Sequence, residues 1–120
     1  MTHILIVDDS PTELYVLQGI LERNGIKVSS AKSGEEGIVR AKELMPDLIL
    51  MDVVMPGLNG FQATRHLTKD PATAAIPVVM VTTKDQETDK IWGMRQGAKE
   101  YLVKPVKEAD LMRVIRSLIG

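Results

Sequence analysis

The sequence contains no cysteine, which excludes a disulfide framework, a thiolate metal site and a cysteine nucleophile. Neither charge is in excess. Fifteen Lys and Arg stand against 16 Asp and Glu, a balance that argues against a protein coating nucleic acid. No apolar run approaches the ~20 residues of a membrane span, so no membrane insertion is expected. No basic segment leads into an apolar stretch and a small-residue cleavage site, so no secretion signal is read and a cytoplasmic protein is expected. No linker, low-complexity tract or internal repeat divides the 120 residues, and the reading is one domain over 1–120. A chain of this length buries roughly 65% of its unfolded surface, enough for a real core.

What is present is an alternation. Short apolar runs at Ile4–Val7, Val28–Ala31, Leu48–Met51, Val78–Val81 and Tyr101–Val103 are separated by amphipathic stretches. Four of the runs are nearly continuous in apolar character, as in strands covered on both faces, while Val28–Ala31 is more polar and reads as a sheet edge. Helix signals lie between them. Ser10-Pro11-Thr12-Glu13 offers a cap, a proline suited to the first helical position and a capping box, and Gly25 is a left-handed stop. Ser33-Gly34-Glu35-Glu36 opens a second helix that Pro46 ends. A third spans Gly60 to about Lys69, and a fourth Lys84 to about Gln96, closed by Gly97. The fifth begins near Lys107, with Leu111, Val114, Ile115 and Leu118 on one stripe. A strand–helix unit repeated five times predicts an α/β fold, a parallel sheet with helices on both faces. In such sheets the sites lie at the carboxyl ends of the strands.

Those ends carry the chemistry. The first strand ends in Asp8-Asp9, the third in Asp52, the fourth in Thr82-Thr83 and the fifth in Lys104-Pro105. If the first and third strands are neighbours, their ends lie roughly 5 Å apart. Three close carboxylates resist joint ionisation without a cation. A divalent ion and the Lys104 ammonium together cancel their charge, and all-oxygen ligation suits Mg²⁺. Carboxylate, Mg²⁺, hydroxyl and lysine are the parts of phosphoryl transfer, with a carboxylate as the attacking group. Taken singly, an acid after a strand reads as a helix cap or a loop residue. The argument rests on all of them falling at one edge of one sheet. Met80 and the other methionines read as core filler, and His3 and His66 fit no metal spacing. Pro56-Gly57 and Asn59-Gly60 read as turn formers beside the site. Trp92 reads equally as a partner anchor or as half-buried packing.

At this point the residues resemble a family. Ile4-Leu5-Ile6-Val7-Asp8-Asp9-Ser10, Asp47-Leu48-Ile49-Leu50-Met51-Asp52, Met55-Pro56-Gly57-Leu58-Asn59-Gly60, Val81-Thr82-Thr83, Gly97-Ala98 and Tyr101-Leu102-Val103-Lys104-Pro105 are similar, end to end, to the CheY-like receiver domain of two-component response regulators. The resemblance implies a doubly wound five-stranded sheet in the order 2-1-3-4-5. It implies Asp52 as phosphoacceptor. Asp8, Asp9, Asp52 and the Val54 carbonyl would be placed around Mg²⁺, and Lys104 on the phosphoryl group, with a cis bond to Pro105. Thr82 would be the switch hydroxyl and Tyr101 the aromatic that turns inward. The surface of the fourth helix, fifth strand and fifth helix would carry the output.

Asp9-Ser10-Pro11-Thr12-Glu13, Gly60-Phe61-Gln62-Ala63-Thr64-Arg65 and the run from Thr82 to Lys90 resemble, more closely, stand-alone receivers of the chemotaxis-like systems that govern type IV pili and twitching motility. That implies a CheA-like histidine kinase as phosphodonor and a pilus-motor or signalling protein as target. A nucleic-acid target and turnover of a substrate are not implied. A phosphate sink and a flagellar chemotaxis regulator stay open as alternatives. An aspartyl-phosphate phosphatase is disfavoured because Val54 stands where its second acid belongs. A flavodoxin-like nucleotide module is disfavoured because Asp8-Asp9 would repel a phosphate.

Overall fold

The five apolar runs form five strands and the stretches between them five helices in a computed structural model, which describes residues 1–120. In chain order these are β1 (His3–Val7), α1 (Pro11–Arg23), β2 (Lys27–Ala31), α2 (Gly34–Leu44), β3 (Leu48–Met51), α3 (Gly60–Lys69), β4 (Val78–Thr82), α4 (Glu87–Arg95), β5 (Glu100–Val103) and α5 (Glu108–Ile119). All four strand pairings are parallel, and the order across the sheet is β2-β1-β3-β4-β5. The edge position read for the polar second run holds. β5, at the opposite edge, is likewise only half-buried, while β3 and β4 are buried at every residue.

Alternation along the three inner strands builds two cores, because successive side chains leave a strand on opposite faces. Ile4, Ile6, Leu48, Leu50, Val79 and Val81 face one side, where they meet Leu14, Leu17, Ile20 and Leu21 of α1 and Leu111, Met112, Val114 and Ile115 of α5. Leu5, Val7, Ile49, Met51, Val78 and Met80 face the other, against Ala41 of α2 and Ala63 and Leu67 of α3. The α5 stripe read from spacing thus packs as expected. The methionines divide: Met51, Met55, Met80 and Met112 are core, but Met1, Met45 and Met94 are exposed, so the reading of all of them as filler is corrected.

Helix ends differ from the sequence reading in informative ways. Ser10 and Ser33 do cap, accepting from the N–H of Glu13 and Glu36. The reciprocal half of the box expected at Ser10 is missing, because Ser10 N–H donates to Asp8, and in α2 Glu36 accepts from Lys32 N–H and not from that of Ser33. A complete box is at α3, where Asn59 and Gln62 satisfy one another's backbone N–H at 2.9 Å. Asn59 is therefore a cap as well as a turn former. α4 starts at Glu87, three residues later than read, because Asp89 accepts from Gln86 N–H and closes the helix there.

At the end of α2 the Pro46 ring disfavours a helical conformation for the residue before it. Met45 ends the helix at φ 45°, ψ 60°, in the left-handed region, with a half-exposed side chain. An L side chain there costs about 1 kcal/mol, partly offset by the looser unfolded chain that glycine brings. Met45→Gly is accordingly expected to raise stability by about 0.5 kcal/mol in denaturant melts.

Candidate functional site

Strand register brings the acids together. β1 and β3 are neighbours with Val7 opposite Met51, so Asp8 and Asp52 leave the sheet side by side. The ladder continues one residue further on each: Asp52 N–H donates to the Val7 carbonyl at 2.9 Å and Asp8 N–H to that of Ala31 at 3.0 Å. Asp8 and Asp52 are buried and Asp9 is exposed. Carboxylate oxygens of all three lie within 4.8 Å of one another.

Lys104 reaches the same point from the end of β5. Its N–H donates to the Thr82 carbonyl at 2.8 Å, and its peptide bond to Pro105 is cis. Its ammonium donates to Asp8 Oδ2 at 2.7 Å and stands 3.8 Å from Asp52 Oδ2, with the side chain 8% exposed. Thr82 is fully buried at the end of β4, and its hydroxyl favours the charged form of Asp52. Asp52 Oδ1 accepts from Val53 N–H at 2.8 Å. Sequence reasoning missed a fourth carboxylate. Glu13, read as a capping residue, turns its Oε2 to within 3.6 Å of Lys104 Nζ. The signal was its place in the first turn of α1, directly after the acidic strand end.

The loop after Asp52 is held by close packing. Gly60 N–H donates to the Val53 carbonyl at 3.0 Å, and a Cβ at Gly60 would overlap the Asp52 carbonyl. Leu58 N–H donates to Glu35 of α2. The donor set tests well against the expected ion. Three carboxylates with no nitrogen or sulfur ligand suit a hard divalent cation such as Mg²⁺, and one ammonium alone leaves negative charge over.

Residues 4–116 match the family model of the response regulator receiver domain. The chain belongs to that family. It is 60% identical over 120 residues to Protein PilH of Pseudomonas aeruginosa, covering all of this chain and 99% of that one. This bears out the closer likeness read from Asp9–Glu13, Gly60–Arg65 and Thr82–Lys90. The chemotaxis protein CheY4 of Vibrio cholerae superposes with a TM-score of 0.91 at 29% identity, over 98% of each chain. The receiver domain of a sensor histidine kinase from Pseudomonas aeruginosa, solved with a magnesium ion coordinated in its active-site cleft, gives 0.92 at 30% identity, over 99% of this chain and 98% of that one.

Within this receiver the electrostatics follow from burial. Burial raises the Asp52 carboxyl above its usual range, and Asp8 pushes the same way. Lys104, the Thr82 hydroxyl and the Val53 N–H oppose without cancelling. Lys104 is lowered most by burial, but Asp8, Asp52 and Glu13 together outweigh that and raise it. Tyr101 is not a free surface aromatic. Its hydroxyl donates to the Lys84 carbonyl at 2.8 Å, and its ring covers Gly93 of α4 so closely that a Cβ there would sit 3.0 Å from Cδ2. Burial, aided by Asp89, Asp52 and Asp85, pushes its phenol up to about 12. Trp92, next to Gly93, is half-exposed, as are Ile91 and Met94. His3 is partly buried, with Nε2 on the Ser29 hydroxyl, and His66 is exposed on α3; neither approaches a metal cluster.

Two outcomes are expected. A carboxyl whose folded pKa is raised favours the fold at low pH and loses that contribution as pH rises through the folded value. With divalent ions chelated, Asp52→Asn should therefore gain stability relative to wild type as pH rises from 3.5 to 7, read from denaturant midpoints. In a Tyr15→Phe background, ultraviolet titration should show Tyr101 ionising at about 12, and Gly93→Val should move it back toward about 10 by expelling the ring.

Proposed function

We propose that this receiver accepts a phosphoryl group on Asp52 from the phosphohistidine of a CheA-like kinase. It then acts as a stand-alone cytoplasmic switch in chemotaxis-like control of type IV pili and twitching motility. The observation that carries the chemistry is the buried Asp52 carboxylate beside Asp8, Lys104 and Thr82 at one edge of the sheet. Likeness to PilH along the whole of both chains supports the pathway.

Asp8, Asp9, Asp52 and the Val54 carbonyl would hold Mg²⁺, which supplies positive charge to the oxygens of the transferring group. A carboxylate oxygen of Asp52 attacks phosphorus. The new P–O bond replaces the P–N bond to the donor imidazole, which leaves with the electron pair. Val53 N–H, already on Asp52 Oδ1, holds the carboxylate in its attacking orientation. Lys104, whose raised pKa keeps it protonated, pairs with the arriving phosphoryl oxygens. Thr82 donates its hydroxyl to another of them.

Thr82 and Tyr101 then carry the signal outward. The ring lies against Gly93 with its hydroxyl on the Lys84 carbonyl, which is the inward arrangement. Phosphorylation would bias the Tyr101 population toward it. The face of α4, β5 and α5, with Ile91, Trp92 and Met94 exposed, is the output surface for a pilus-motor or signalling protein.

The test is intact-mass measurement after incubation with acetyl phosphate. One phosphoryl adduct is expected on wild type with Mg²⁺, and none on Asp52→Asn or after chelation. If beryllofluoride with Mg²⁺ also left Trp92 fluorescence and backbone spectra unchanged, the switch reading would be abandoned for that of a constitutive binding module.

A further inference from the structure

Glu13 occupies a place that local helix chemistry does not require. The backbone N–H it would accept from in a capping box, that of Ser10, already donates to Asp8 Oδ1 at 2.9 Å. Its carboxylate instead stands 3.6 Å from Lys104 Nζ, nearer than the 3.8 Å that separates Lys104 from Asp52. It lines an open groove with Leu17, Thr83, Lys104 and Pro105, and its side chain is 41% exposed. Lys104 does not need it for aim, since the 2.7 Å bond to Asp8 already fixes the ammonium.

We propose that Glu13 competes electrostatically for Lys104, weakening the site's hold on a phosphoryl group while strengthening its hold on the divalent cation. The inference rests on the phosphoacceptor reading of Asp52. A phosphoryl group adds negative charge and recruits Lys104; Glu13 repels the first and retains the second. Toward a cation the same carboxylate is one more attractive charge beside three others. The two effects have opposite signs, whereas a general loosening of the site would weaken both ligands. Because Glu13 is partly exposed, both effects are screened by salt.

Calorimetry separates these cases, using Mg²⁺ alone and then beryllofluoride at saturating Mg²⁺, at low and high ionic strength. Glu13→Gln is expected to bind Mg²⁺ about two- to threefold more weakly and beryllofluoride about two- to threefold more tightly at low salt. Both differences should shrink at high salt. Glu87→Gln, which removes a first-turn acid of α4, should change neither. Glu13→Gln binding both ligands as wild type does, or both more weakly, would overturn the proposal while leaving Asp52 as acceptor. If beryllofluoride failed to bind wild type, the acceptor reading would fall and this inference with it.

Discussion

One buried ammonium holds the business end of this molecule together. The parallel sheet delivers Asp8 and Asp52 to adjacent strand ends, where burial, with Asp8 pushing the same way, raises the Asp52 carboxyl above its usual range. Lys104, anchored by its own backbone to Thr82 and by its side chain to Asp8, offsets part of that repulsion. The compensation is incomplete, and the surplus negative charge it leaves suits a hard divalent ion. Removing one partner from so buried an arrangement leaves an uncompensated charge, which is far costlier than the pair is worth.

Much of this was legible in the residues. Alternating apolar runs and capped amphipathic stretches specify five strands and five helices, and the acid, hydroxyl and lysine positions follow from where each run stops. The register that places Asp8 beside Asp52 needed only the neighbourhood of β1 and β3. The part proposed for Val54, by contrast, belongs to its backbone carbonyl, and nothing about the valine side chain announces that.

What escaped the sequence were side chains with two competing local options. Glu13 could serve a capping box or reach inward, and the choice depends on Asp8 having taken the Ser10 N–H across a loop. Glu36 faced the same choice and settled on Lys32. The start of α4 moved because Lys84 and Gln86 are good enough helix formers to mislead, while Asp89 closes the helix on Gln86 N–H and the Tyr101 hydroxyl, distant in sequence, holds the Lys84 carbonyl. Short-range patterns rank such options equally, and tertiary contacts decide between them.

The attachment of α4 has a consequence for how such proteins diversify. This helix buries a single residue, Gly93, and presents Ile91, Trp92 and Met94 to solvent. Exchanging those outward side chains opens no cavity in either core and disturbs no group at the acidic edge. This exposed face can thus change at almost no cost to folding, while the glycine beneath it stays fixed by the ring it must admit.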